Sequence, residues 1–134
     1  MADIDLETWL FPTQPEGDLA YCNGCPGSKL SAWIREVLLH AGMRCDGPFQ
    51  EDWGWGVWVW EDDCRILVGV GWMGARAENA QPAWKVHISH DPGLSIGQQL
   101  RGKQATPLVA RIQALLEAAV ASDTRIRLLP PGTL

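Results

Sequence analysis

The Trp- and Val-rich stretch in the middle of the chain constrains the fold more than any other part of the sequence. It consists of two runs, 49–61 and 64–73, which are joined by an acidic turn at 61–64. Runs of β-branched and aromatic residues separated by a polar turn predict an antiparallel β-hairpin. Side chains alternate between the two faces of a strand, so a slip of one residue would exchange the faces. The register of this hairpin therefore decides which side chains form the core.

Requiring apolar residues to face apolar residues selects one register for the hairpin. In that register one face is apolar along its whole length, and we expect the helices of the fold to cover it as the core. Its four opposed pairs are Trp53–Trp72, Trp55–Val70, Val57–Val68 and Val59–Ile66.

The same register leaves the other face of the hairpin with a patch that lacks side chains. Glycine inside a strand is unfavourable and often marks the close approach of another backbone or of a ligand. If a third strand at 84–89 pairs with the second run, Lys85, His87 and Ser89 border this patch. The sequence thus predicts a shallow trough with aromatic walls and one polar side. Its floor is Gly54 opposite Gly71 and Gly56 opposite Gly69, and its wall is Trp58, Trp60 and Leu67.

Several occupants of this trough are compatible with the sequence. The Pro-rich segment 1–27 would cover it if Trp9 or Phe11 filled the space, and a second copy of the chain in a homodimer would do the same. A ligand or a partner protein is the further alternative. The glycines would also suit a strongly twisted hairpin that needs no occupant.

Two amphipathic helices flank the strand-rich region. Apolar residues at helical spacing predict a first helix with Ser28 as its N-cap and Gly42 as its left-handed stop. A second helix is predicted from Pro107 to Ser122 with Thr106 as its N-cap, because proline favours the first helical position.

The order of these elements defines the expected fold class. It is α+β, a two-layer sandwich in which an antiparallel sheet of three to five strands carries two helices on one face. A last edge strand is expected at 125–129. Residues 1–134 are expected to form a single domain, with 1–27 as an irregular Pro/Gly-rich lead-in.

The charge balance argues against several classes of partner. Sixteen acidic residues against eleven Lys and Arg give a net charge of -5. Nucleic-acid binding needs clustered cations, and anionic membranes attract basic segments, so neither partner is expected. The first residues lack the basic start and apolar run of a signal peptide, which favours a cytoplasmic protein with reduced thiols.

The candidate metal or redox motif is Cys22-Asn-Gly-Cys25. Such a pair occurs in redox proteins and as half of a zinc site. Cys45 and Cys64 are single and far apart in the sequence, and Pro26-Gly27 separates the motif from the first helix. Ordinary thiols and no cofactor are therefore expected, and a zinc-stabilised structural protein through Cys22 and Cys25 is the alternative.

Two acidic clusters lie at the ends of the Trp-rich run. They are Glu51-Asp52 and Glu61-Asp62-Asp63, and at about 3.3 Å per residue they are roughly 30 Å apart, too far to act as a catalytic pair. The second cluster would instead form an acidic rim that attracts a basic partner. His87 and His90 point to opposite faces of their strand, so they do not predict a metal site.

The segment Glu51-Asp52-Trp53-Gly54-Trp55, after a helix that ends at Ala41-Gly42, resembles a pattern in small uncharacterised bacterial proteins. In these proteins an amphipathic helix precedes an acidic EDWGW strand, a hairpin partner and a closing helix. The similarity covers about residues 27–128 and implies no established activity. Some small acidic α+β bacterial proteins of this size are immunity partners of toxins, which is an analogy of fold and size.

No set of residues in the sequence combines a nucleophile, a base and an orienting group, so no catalytic residue is predicted. We expect a non-enzymatic protein-interaction module, immunity-like or accessory, that uses Trp58, Trp60 and the acidic rim to bind another protein, basic in charge, or a second copy of itself. The alternative is a small-molecule binding or sensor protein with the glycine trough as its floor. Lys85 and His87 would then supply its polar contacts.

Overall fold

The computed structural model describes residues 2–14, 24–90 and 96–134, with only the helical backbone described over 96–104. Six strands form one antiparallel sheet in the order β2-β3-β4-β5-β1-β6. The α+β class is therefore confirmed, but the sheet has six strands where the sequence predicts three to five. The elements are β1 (Ala2–Thr8), α1 (Ser28–His40), β2 (Arg44–Glu51), β3 (Gly54–Glu61), β4 (Cys64–Ala75), β5 (Pro82–His90), α2 (Ile96–Ser122) and β6 (Ile126–Leu128).

Strand β1 is the main addition to the predicted fold. The expectation of an irregular lead-in over 1–27 is wrong for Ala2–Thr8, which pairs with β5 on one side and β6 on the other. Ile4 and Leu6 are buried in the core, and the acidic residues that alternate with them point to the opposite face. This alternation of acidic and apolar residues is itself a strand pattern. The short strand expected at 125–129 is confirmed as β6.

The predicted first run, 49–61, is two strands and not one. The chain reverses at Asp52 and Trp53, so that β2 becomes an edge strand beside β3. The register of β2 shifts between Asp46 and Phe49, next to the cis peptide bond before Pro48. Because of this reversal, Trp53 lies in a turn, and the alternation of β3 does not fix the direction of its side chain.

The predicted register of the hairpin is confirmed along most of its length. Three of the four core pairs are present, and their six side chains are at most 2% exposed: Trp55–Val70, Val57–Val68 and Val59–Ile66. The fourth pair is wrong. Trp53 is 49% exposed in the β2–β3 turn, and Trp72 is 44% exposed opposite Trp84 of β5.

Both helices differ from the prediction at their N-termini. The N-cap of α1 is Gly27, at a φ of 134°, with no side-chain cap, so the assignment of Ser28 is wrong. Helix α2 begins at Ile96, so Thr106 and Pro107 lie inside it and do not start it. The left-handed stop at Gly42 is confirmed by its φ of 84° and by its amide, which donates to the Leu39 carbonyl at 2.9 Å.

The core lies between the sheet and the two helices. The buried stripes of α1 and α2 pack on the same face of the sheet, which gives two layers. Among the described residues, no helix covers the other face of the sheet, which we call the open face. The helix side chains of the core are Leu30, Ile34 and Leu38 from α1 and Leu108, Ile112 and Leu116 from α2.

Candidate functional site

Part of the predicted glycine patch is present on the open face, but the expected pairing of Gly54 with Gly71 is wrong, because the β3–β4 register begins at Trp55 and Val70. Gly56 lies opposite Gly69 in the β3–β4 register. On the other side of β4, Gly69 lies opposite His87 and Gly71 lies opposite Lys85. The prediction that the third strand borders the patch with Lys85, His87 and Ser89 is therefore confirmed, since Ser89 also lies opposite Leu67.

Two aromatic rings of the same sheet cover part of this patch. A Cβ atom on Gly56 would lie 2.7 Å from Cζ of Phe49, and one on Gly69 would lie 2.7 Å from Cη2 of Trp53. Both distances are shorter than a carbon–carbon contact allows. The rings rest directly on the strand backbone, so a side chain at either position would have to displace them.

The cover does not come from the residues that the sequence suggested. Phe11 is buried on the helix side, where its ring meets Trp33 of α1 edge-on at 6.1 Å between centroids. Trp9 is 65% exposed and does not line the patch. The other apolar part of the lead-in, 19–21, lies outside the described residues, and the homodimer stays a prediction.

A cavity of about 290 Å³ stays open beside the Trp53 ring. It lies over the glycines of β4, and its two half-exposed rim residues are Trp53 and Met73. A concave, mainly apolar site with a few polar groups at one side is the usual form of a ligand pocket. The lining residues are Trp53, Leu67, Gly69, Gly71, Met73, Lys85 and His87.

The polar side of this cavity is an ion-pair network between β5 and β1. Nδ1 of His87 lies 2.5 Å from Oδ1 of Asp3. Nζ of Lys85 lies 3.7 Å from Oδ2 of Asp3 and 3.5 Å from Oδ1 of Asp5. The hydrogen bond from His87 lowers the pKa of Asp3 below its ordinary value of 3.8, and the charges of His87 and Lys85 act in the same direction against burial.

Sequence reasoning missed Asp3 and Asp5, although the Asp-Ile-Asp-Leu alternation was a usable signal. Asp5 is 2% exposed, and its Oδ2 accepts a hydrogen bond from the backbone N–H of Leu134 at 3.1 Å. A buried carboxylate is stable only with such partners. Asp5 is thus held in place next to the cavity, whereas Asp3 at the end of the strand is exposed.

Trp58 and Trp60 form a separate stack at the far end of the open face. The guanidinium of Arg65 lies 4.2 Å from the Trp58 ring centroid and 5.5 Å from that of Trp60. Arg44 lies 5.2 Å from Trp60, and Phe49 stacks on Trp58 at 5.6 Å. Both indoles, which the sequence singled out for recognition, are half-buried against these neighbours. Their role in binding stays a prediction.

The acidic rim does not border the cavity. Glu61 pairs with Arg111 of α2 at 2.7 Å, whereas Asp62 and Asp63 are exposed in the β3–β4 turn. The lining residue of β4 nearest this turn is Leu67, three residues after Cys64, about 10 Å along the strand at 3.3 Å per residue. The rim and the cavity have no residue in common.

The cysteines give no metal centre within the described residues. No group of three or more potential metal ligands occurs there. Burial raises the pKa of the Cys45 thiol above its ordinary value. The zinc and redox hypotheses need Cys22, which lies outside the described residues, so they stay predictions.

No protein-family model, curated protein or solved structure matches the chain. Nothing in these comparisons indicates an enzymatic activity. Within the described residues, no helix has the length and apolar character needed to cross a membrane.

Proposed function

We propose that this protein is a non-enzymatic binding protein that holds a small, mainly apolar ligand on the open face of its sheet. The observation that supports this proposal is the cavity of about 290 Å³ beside Trp53. Its floor consists of two glycines, and its polar groups all lie on the β5 side. This arrangement is closer to the small-molecule alternative drawn from the sequence than to recognition by Trp58 and Trp60.

Gly71 offers a direct test of this function. A Cβ atom built on Gly71 meets no other atom within 4 Å, so a larger side chain at this position would enter the cavity without a clash. The variant Gly71→Leu should therefore fill the site and leave the fold intact. Ala110→Leu is a suitable control because Ala110 is an exposed residue of α2.

The measurement is a ¹⁵N NMR titration with toluene as the probe. In the wild type we expect shifts at the backbone amides of Gly69, Gly71 and Met73, with the same shifts in Ala110→Leu. Gly71→Leu should abolish them at an unchanged unfolding midpoint. Shifts that persist in Gly71→Leu, or that are absent from the wild type, would overturn the proposed site.

A second candidate function is binding of a basic partner protein, as in the immunity-like role. The observation that favours it is the exposure of Asp62 and Asp63 in the β3–β4 turn of a chain with a net charge of -5. Long-range attraction of this kind weakens with salt. Capture of a basic protein should then weaken with added salt and be lost in the double variant Asp62→Asn, Asp63→Asn, and capture that survives the double change would contradict this role.

A further inference from the structure

The polar groups around the cavity differ in what they can offer to a ligand. The atoms of Trp53 that lie over Gly69 are Cη2 and Cζ3, the edge of the indole farthest from its N–H. Lys85 directs its Nζ toward Asp3 and Asp5 of β1, so its aliphatic chain faces the cavity. His87 is the remaining polar residue of the lining.

Asp3 fixes the tautomer of the neutral His87 ring. An ionised carboxylate can only accept hydrogen bonds, and the lowered pKa of Asp3 keeps it ionised at neutral pH. Nδ1 of His87 therefore carries the proton and donates it to Asp3. In a neutral imidazole the other nitrogen, Nε2, is then an acceptor. Among the described residues, no group donates a hydrogen bond to Nε2.

The order of the strands in the sheet determines which strand Nε2 of His87 faces. Strand β5 lies between β1 and β4, and His87 has Asp3 opposite it on β1 and Gly69 opposite it on β4. The ring edge opposite Nδ1 consists of Nε2 and Cδ2. Because Nδ1 faces β1, this edge faces β4, where Gly69 has no side chain to block it.

We infer that the cavity selects an apolar ring or chain that carries one hydrogen-bond donor, a hydroxyl or an N–H, which Nε2 of His87 accepts. Asp3 is the positioning residue, because it holds the imidazole as an acceptor. This inference rests on the proposed function, since it requires that the cavity holds a ligand. It adds the chemical class of that ligand.

Phenol and toluene form a matched pair of probes for this inference. They have nearly the same size and shape, but only phenol donates a hydrogen bond. Toluene is the more hydrophobic of the two, so hydrophobic burial alone would favour it. A hydrogen bond to the half-exposed His87 offsets part of this difference, so we expect the ratio of phenol to toluene affinity to be about fivefold higher in the wild type than in His87→Phe.

Three variants separate the role of His87 from a general structural effect. His87→Phe keeps an aromatic ring and removes Nε2, so the ratio of phenol to toluene affinity should fall about fivefold while toluene still binds. His90→Phe is the control, because His90 lies opposite Ile66 on the other side of the sheet. Asp3→Asn allows the amide to donate to Nδ1, which moves the ring proton to Nε2, and the ratio of phenol to toluene affinity should fall.

The ¹⁵N resonances of the His87 ring are the readout, because a purely structural role of His87 would leave them unchanged when phenol is added. At a pH at which the imidazole is neutral, we expect the Nε2 resonance of the wild type to shift on addition of phenol and not of toluene. A phenol-to-toluene affinity ratio that is the same in the wild type and in His87→Phe, with both probes lost in Gly71→Leu, would overturn the inference and leave the proposed function standing. Failure of both probes to shift Gly69 and Gly71 would overturn the proposed function and this inference together.

Discussion

The ring of Trp53 rests on the backbone of Gly69, so that a Cβ atom at this glycine would lie 2.7 Å from Cη2 of the indole. Trp53 belongs to the β2–β3 turn, and Gly69 belongs to the middle of β4. The contact thus bends a turn residue back over the open face. It forms one wall of the cavity and explains why the strand beneath it carries glycine.

The glycines of the hairpin should differ in their tolerance of alanine. At Gly54 a Cβ atom would lie 2.1 Å from the Val70 carbonyl oxygen, which is backbone and cannot move without breaking the sheet. At Gly69 it would meet only the far end of the half-exposed Trp53 side chain. We expect Gly54→Ala to lower the free energy of unfolding by about 3 kcal/mol and Gly69→Ala by about 1 kcal/mol or less. Gly71→Ala should be near neutral, and urea unfolding of the three variants measures this order.

The pairing of Glu7 with two arginines should stabilise the acidic side of β1. Glu7 is 5% exposed and lies 3.1 Å from Arg127 and 3.4 Å from Arg76. The double variant Arg76→Ala, Arg127→Ala leaves a buried carboxylate without these cations, so we expect a loss of about 2 kcal/mol. Addition of Glu7→Gln to the double variant should restore part of the loss. Urea unfolding that shows no such recovery would contradict this role of the ion pairs.

The Asp3–His87 hydrogen bond should make stability depend on pH in the acid range. The pKa of Asp3 is lowered in the folded protein, so the unfolded state binds its proton first as the pH falls. The stabilisation by Asp3 is therefore fully present above its ordinary pKa of 3.8 and is lost as the pH falls through the folded-state value. Because the Asp3 side chain is 44% exposed, we expect less than about 1 kcal/mol.

Asp3→Asn is the variant that measures this dependence. The difference in unfolding free energy between wild type and variant should be present at neutral pH and shrink toward zero below the ordinary pKa of the carboxyl. A Glu78→Gln control should not show the same trend, because Glu78 is exposed and makes no ion pair with another described residue. A difference that grows on acidification would show that the sign is wrong.

Arg65 should hold the indoles of Trp58 and Trp60 together. Its guanidinium lies over the rings of both Trp58 and Trp60. A planar guanidinium stacks on an aromatic face better than an ammonium does, so Arg65→Lys should cost about 0.5–1 kcal/mol at unchanged charge. The Trp58 indole N–H resonance should shift in the variant, and the cavity amides of Gly69 and Gly71 should not. Shifts at the cavity would show that stack and cavity are coupled.

Much of the central hairpin could be predicted from the sequence. The pleat repeats every two residues, and only the observed register buries Trp55, Val57 and Val59 against an apolar partner strand. The same alternation of side chains predicted that the glycines lie together on the other face, with Lys85 and His87 beside them. Local alternation carries this information because neighbouring strands of a hairpin are close in sequence.

The position of β1 in the sheet could not be predicted from the sequence in the same way. Asp3 and His87 are 84 residues apart in the chain, and no local pattern says that the first strand pairs with the fifth. The prediction of an irregular lead-in therefore missed both strand β1 and the polar side of the cavity. The acidic alternation of β1 indicated a strand, but it did not indicate its partner.

The sequence by itself determined the register of the hairpin and the faces of its strands, because burial of apolar side chains at a period of two leaves one solution. The tertiary structure alone decided that Trp53 leaves its strand to cover Gly69 and that Asp3 orients His87. Trp53 reaches Gly69 because the chain reverses just before β3, and Asp3 reaches His87 only when β1 joins the sheet 84 residues away in the chain. The local sequence pattern therefore predicts the core, whereas the candidate site depends on contacts between segments that this pattern does not relate.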